Sequence, residues 1–397
     1  MQYHTIMSNK LVIAAAGSGK TNFLISEAIK KKNSKILITT YTIANSKEIQ
    51  KKFIKKIGHV PCNVTIQTWF SFLIQHGVKP FQGHFDEKLF SYNVKGLLLT
   101  NEQSAVKYKN SNGINICFKE EEILKHFFSS DGKIYSDKLS KFIVGGGDKF
   151  RKKKERKKFV ELVFNRLSKL YTDIFIDEVQ DLAGYDLEFL KLIFQSEINS
   201  ILVCDSRQVT YLTHHEKKYN KYKYGKIKEF VLNECKKCFN KKNIDEKTFN
   251  ASHRNNTDIC TFSSKLYSEY NPTKSCSCIE CNKKQKNCLE GIFLVKNKDI
   301  DNYLFENKFI TQLRNKRNVC VNKKYPCMNF GESKGLTFNG VLIYPTDPFM
   351  DWLKNNNYNL APTSRSKFYV AITRASYNVG IVCDENIKID GIKRYKP

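Results

Sequence analysis

Two stretches far apart in the chain carry side chains suited to one reaction. The first, LVIAAAGSGKTNF at positions 11–23, sets Gly17, Ser18 and Gly19 ahead of Lys20 and Thr21. In such a loop, consecutive backbone N–H groups point at phosphate oxygens and glycines let the chain come close. The lysine reaches the outer phosphates, and the hydroxyl holds Mg²⁺. Ala14 occupies the place of the usual first glycine, but it falls at the end of a strand, where a methyl group is tolerable. The second stretch, DIFIDEVQD at 173–181, ends an apolar run in Asp177 and Glu178. One carboxylate suits Mg²⁺ and the other suits taking a proton from an attacking water. The two stretches together predict a nucleoside triphosphatase.

Such residues need rigid strands behind them. Short β-branched or apolar runs recur as KLVIAAA, KILITTY, NVTIQTW, DIFIDE and SILVCD, then as KEFVLN, KTFNAS, GIFLVK, NGVLIYP and NVGIVCD. Each is followed by an amphipathic segment, which predicts an α/β fold with two parallel-sheet domains in tandem. Between Gly77 and Tyr171 the strand pattern lapses into polar, helix-like text, read as a helical insertion in the first domain. The expected division is 1–78 with 166–228 for the first sheet domain, 79–165 for the insertion, and 229–397 for the second domain.

The chain has 67 Lys+Arg against 39 Asp+Glu, a net charge of +28. That excess suits a polyanionic partner, because neutralised phosphates release counterions; a solvated lysine-rich surface is the alternative. The basic run 149–158 divides in the same way between a solvated helix face and a phosphate-contacting one. No run is long and apolar enough for a membrane span, and the first ten residues lack the apolar core of an export signal, so a cytoplasmic protein without a membrane partner is expected. Thirteen cysteines then read as free thiols or metal ligands. Cys276, Cys278, Cys281 and Cys288, in a loop spanning 275–289, are spaced closely enough to close a tetrahedral Zn²⁺ site; reduced surface thiols are the other reading.

AAAGSGKT, DEVQD and VAITRA, in that order, resemble motifs I, II and VI of superfamily 1 helicases of the UvrD/Rep type. TYTIANSKEIQKKF, IQTWFSF, CDSRQVTY, the SHRN that ends at Asn255, and GESKGLTFNGVLI are similar to the motifs between them, so the likeness runs from Leu11 to Val382. The resemblance implies two RecA-like P-loop NTPase domains that hydrolyse ATP at their interface and draw single-stranded DNA along, 3′ to 5′. It implies that Ala16, Gly17, Ser18, Gly19, Lys20 and Thr21 bind the nucleotide with Mg²⁺ held by Thr21 and Asp177. Glu178 would be the general base, Gln208 the γ-phosphate sensor, and Arg254 and Arg374 the arginine fingers. His253, Gly335 and Thr337 fall at nucleotide-facing positions, and Tyr41, Thr42, Thr68, Trp69 and Tyr211 at positions that contact the strand. RNA as the track stays open, since charge and stacking serve both polymers.

Several positions depart from the pattern. Cys204 stands for a glycine, His253 for the aromatic that stacks on adenine, and Thr337 for a ribose-binding glutamate. The glutamine motif upstream of the loop is missing or reduced to Gln2. Arg254 and Lys334 are too close in the chain for the large 2B subdomain. A compact layout of this kind looks similar to helicase subunits of bacterial anti-phage systems such as Gabija, which would make the chain an ATPase subunit governing a partner nuclease. A basic scaffold with a decayed nucleotide site is the third reading.

Overall fold

The computed structural model describes residues 8–214, 217–282, 289–307 and 309–397. The chain forms two compact units. One holds residues up to Val12, Thr21–Cys204 and Leu212–Asp245; the other holds Ile13–Lys20, Asp205–Tyr211 and Glu246–Pro397.

In the first unit, strand β1 (Asn9–Ile13) leads into helix α1 (Lys20–Lys30), followed by β2 (Ile36–Thr40), α2 (Ile43–Ile57) and β3 (Val64–Thr68). Strand β2, ILITT, is buried along its whole length, as a strand covered on both faces must be. Helix α2 starts where Thr42 Oγ1 accepts the Asn45 N–H and stops at Gly58, whose φ of 83° suits a left-handed cap. After an insertion come helix α3 (Lys153–Leu170), β4 (Asp173–Ile176), α4 (Tyr185–Gln195), β5 (Asn199–Cys204), α5 (Ile227–Glu234) and β6 (Ile244–Asp245). The sheet order is β6-β1-β5-β4-β2-β3, a parallel sheet. The loop after β1 and the acidic pair after β4 therefore both leave carboxyl ends of strands, where α/β sheets present ligand-binding groups.

The insertion is mixed rather than helical. Gly96–Leu98 pairs with Lys133–Tyr135, and Val106–Lys109 forms an antiparallel pair with Asn115–Cys117. Its centre is aromatic: Phe85 stacks on Phe142 at 3.9 Å and meets Phe127 edge-on at 5.1 Å. Helix α3 buries Phe159, Val163 and Leu167, one face at helical spacing.

The second unit contains helix α6 (Thr257–Lys265) and strands β7 (Gly291–Val295), β8 (Ile310–Arg314), β9 (Cys327–Asn329) and β10 (Phe338–Ile343), then helix α7 (Pro362–Thr373) and strands β11 (Ala375–Val382) and β12 (Lys393–Arg394). Every pair in the order β9-β8-β10-β11-β7-β12 is parallel. Ile292, Val341 and Val379 from three strands pack with Phe349 and Phe368 in one buried cluster, each contributing about 1.5–3 kcal/mol by leaving water. The fold is thus α/β, two tandem RecA-like parallel sheets with a small insertion in the first.

Local expectations change in four places. KEFVLN forms helix α5, not a strand, because Ile227, Phe230 and Val231 are buried at helical spacing. KTFNAS contributes only Ala251–Ser252, paired with Lys274–Ser275. Strands β6, β8, β9 and β12 lie outside the expected runs. Finally, Leu11 pairs with Ile244 and Val12 with Asp245, so the first unit runs on to Asp245 instead of ending at 228. No helix among the described residues is long and apolar enough to cross a membrane.

Candidate functional site

In the first unit, β4 delivers Asp177 and α1 delivers Thr21. Thr21 Oγ1 donates to Asp177 Oδ2 at 3.0 Å, and the Asp177 backbone N–H donates to Thr39 O at 2.8 Å, which fixes the strand end. A hydroxyl and a carboxylate held together are hard oxygen ligands of the kind Mg²⁺ takes, so these two residues fit that ion. The next residue, Glu178, has φ 61° and ψ 37°, a left-handed conformation that costs a non-glycine residue about 1–2 kcal/mol. Its N–H donates to Asp177 Oδ1 at 3.0 Å, and its carboxylate accepts from Gln180 Nε2. Strain at this residue aims the carboxylate, and backbone strain of this sort gathers at functional positions.

The phosphate-type loop belongs to the second unit. Gly17 and Gly19 have φ of 71° and 91°, which side-chain-bearing residues avoid. Gly17 is also constrained by space: a Cβ there would lie 2.6 Å from Ser252 Oγ and 2.7 Å from Arg254 Cβ. Its carbonyl accepts the His253 N–H at 2.9 Å, and Ala15 N–H donates to Phe249 O at 2.8 Å. Ser18 Oγ and Lys20 Nζ both donate to Ala15 O, at 2.8 and 3.2 Å. Ala14 and Ala16 are buried, so the methyl group in place of the first glycine meets core.

A buried polar chain adjoins that loop within the unit. Arg374 Nη2 donates to Gln208 Oε1 at 3.0 Å, Gln208 Nε2 to Asp205 Oδ2 at 2.7 Å, and Arg207 Nε to Asp205 Oδ1 at 2.8 Å. Arg207 reaches Thr273 Oγ1 at 3.1 Å, and Tyr369 OH reaches Asp205 at 3.4 Å. Burial pushes the Asp205 carboxyl up, but the Arg207 and Lys20 cations and the hydrogen bonds hold it below the usual range. Burial disfavours the Arg207 cation, and Asp205 more than compensates. Asp205 and Arg207 were not singled out from sequence. Their signal was there in CDSRQ, a charged pair two residues apart directly after a buried strand.

Arg254 Nη1 donates to Thr373 O at 3.2 Å, one residue before Arg374. Arg374 also donates to Leu336 O at 3.3 Å, bringing the Gly335 segment to it; Gly335 has φ 87°, and Thr337 is exposed. Lys334 Nζ lies over the Tyr211 ring at 5.2 Å.

The residues expected to touch a strand divide. Tyr41 is half-buried, with its ring edge-on to Phe70 at 5.2 Å; burial raises its hydroxyl pKa. Thr42 and Thr68 cap helices. Trp69 is corrected to a core residue: it is 2% exposed, donates from Nε1 to Asp186 at 3.1 Å and packs on Phe189 at 5.9 Å. No face of its indole is offered to a base.

Of the four cysteines in the loop, Cys288 lies outside the described residues. The other three converge on a different fourth group, since His253, Cys276, Cys278 and Cys281 present ligand atoms all within 4.8 Å of one another. His253, expected against a nucleobase, sits with its Nδ1 3.5 Å from Cys281 Sγ and 3.8 Å from Cys278 Sγ. Only the histidine's distance in sequence concealed it.

No protein-family model matches the sequence, and no curated protein is significantly similar to it. Among solved structures, the chain is similar to the PRRSV helicase at 12% identity and TM-score 0.42, over 95% of this chain and 53% of that one. It is also similar to the arterivirus nonstructural protein 10 helicase at 14% identity and TM-score 0.40, over 96% and 60%. The same arterivirus helicase in complex with DNA matches at 13% identity and TM-score 0.41, over 96% and 61%. The chain thus spans about half to three fifths of the length of these structures. Likenesses this distant leave the assignment of chemistry to the residues themselves.

Proposed function

We propose that this chain hydrolyses ATP and uses the energy to move along single-stranded nucleic acid, DNA in the first instance, in the 3′ to 5′ direction implied by its resemblance to UvrD/Rep-type helicases. The observation that carries the ATPase reading is the Thr21–Asp177 pair at 3.0 Å beside a strained Glu178.

In this reading the N–H groups of Gly17, Ser18 and Gly19 cradle the phosphates, and Lys20 turns from Ala15 O to the outer phosphates. Thr21 and Asp177 would hold Mg²⁺, which would supply neutralising charge at the phosphates. Glu178 takes the proton of the attacking water. Arg374, positioned through Gln208, and Arg254 stabilise charge spreading over the transferred phosphoryl group. Motion along a strand draws on the chain's +28 charge and on aromatic faces such as Tyr41 and Tyr211, since backbone contacts and stacking are indifferent to sequence.

The test is ATP hydrolysis by the wild type and Lys20→Ala with no nucleic acid, single-stranded DNA, single-stranded RNA and duplex. Stimulation by single strands that Lys20→Ala loses is expected. Hydrolysis unaffected by the substitution would end the proposal. The short stretch between Arg254 and Lys334 favours a motor that unwinds long duplexes poorly alone, and strong strand displacement by the isolated chain would refute that part. Control of a partner nuclease is the second reading, checked by whether the chain changes a co-purified nuclease's activity in an ATP-dependent way.

A further inference from the structure

We propose that Cys276, Cys278, Cys281 and His253 bind one Zn²⁺ in a tetrahedral Cys₃His site. A zinc ion takes thiolate at about 2.3 Å and imidazole nitrogen at about 2.0–2.1 Å. At the tetrahedral angle those bonds put sulfur and nitrogen about 3.6 Å apart. The separations from His253 Nδ1, 3.5 Å to Cys281 Sγ and 3.8 Å to Cys278 Sγ, already match. The donor set is soft and neutral-to-anionic, which selects Zn²⁺ over Mg²⁺.

The backbone prepares the site from both sides. Cys276 N–H donates to Ser252 O at 2.8 Å, continuing the short parallel pair that carries Ser252 and Ser275 side by side, so the first thiol is anchored next to the strand that directly precedes the histidine. Cys278 N–H donates to Cys276 Sγ at 3.5 Å, a bond that steadies a thiolate. Core packing does little for the short helix that carries Cys281, where Ile279 is 73% exposed. A segment with so little apolar packing is what a structural metal staples.

The site has a consequence for its neighbours. His253 N–H donates to Gly17 O and the next residue is Arg254, so the metal would lock the turn that joins this arginine to the glycine loop. Zinc binding itself stands independently of ATP hydrolysis, and its test does not use activity.

The full-length protein, purified without chelator, is analysed for metal by mass spectrometry and reconstituted with Co²⁺. About one zinc per chain is expected, as is a Co²⁺ spectrum with tetrahedral d–d bands and sulfur-to-metal charge transfer. His253→Ala and Cys281→Ser should each weaken binding at least about tenfold. His253→Cys, which keeps a zinc donor and separates ligand loss from misfolding, should retain the metal, and so should Cys288→Ser. A wild type without zinc and without the Co²⁺ spectrum overturns the proposal. So does metal lost in Cys288→Ser but kept in His253→Ala.

Discussion

Arg374 and Gln208, 166 residues apart, share a buried hydrogen bond of 3.0 Å. In that bond the cation meets a neutral amide, and the same amide donates to the Asp205 carboxylate at 2.7 Å. Arg374 is 1% exposed, and bonds to Val370 O and Leu336 O fix its position further.

Replacing Arg374 should therefore harm stability and turnover separately. Arg374→Ala is expected to lose about 2–3 kcal/mol, the scale of buried charge-assisted hydrogen bonds, read as a lower melting temperature. Gln208→Ala should leave Arg374 in place but mispositioned, so turnover at saturating ATP falls more than the melting temperature does. Equal loss on both measures would argue for a structural role only.

Glu178 offers the opposite trade. Asn tolerates the left-handed region, so Glu178→Asn should gain about 0.5–1 kcal/mol by relieving strain while losing ATP hydrolysis. Denaturant unfolding beside a turnover assay checks both halves.

Gly17→Ala joins a disfavoured conformation to a clash with Ser252 and Arg254. Expression with a lowered melting temperature and no nucleotide binding is expected, whereas Ala14→Gly, at a buried strand end, should bind nucleotide as the wild type does.

Acid should unravel the Asp205 network. Its folded-state pKa lies below the ordinary carboxylate value, so its contribution is fully present above about pH 4, the unfolded value. It is lost as pH falls through the folded one. Melting temperature against pH should drop more steeply below about pH 4 for the wild type than for Asp205→Asn.

Trp69 and Tyr41 separate core from strand contact. Trp69→Ala should cost about 3–5 kcal/mol of stability, and Trp69→Phe should leave single-strand affinity unchanged. Tyr41→Ala should weaken that affinity by about 1–3 kcal/mol, measured by fluorescence anisotropy.

Strands β1, β2 and β4 were legible because LVIAA, ILITT and IFI are continuous β-branched or apolar runs, and a parallel sheet buries both faces. KEFVLN misled because six residues of mixed character fit either period, and only Ile227 upstream reveals the helical one. The Thr21–Asp177 pairing followed from motif order. The Cys₃His cluster did not, since His253 precedes its thiols by more than twenty positions and the parallel pairing of Ala251 with Lys274 is invisible to spacing. Trp69 lay in a matched motif, yet its indole N–H is taken by Asp186, a partner no local pattern shows.

The imidazole turned toward sulfur has an implication for fuel choice. A ring whose Nδ1 lies against two cysteine sulfurs has its position set by the cysteine segment and is not free to follow a purine, and Thr337 has no carboxylate to grip a ribose. Such an enzyme would recognise little of its substrate beyond the polyphosphate tail, and GTP, CTP and UTP should be consumed at rates within about tenfold of ATP.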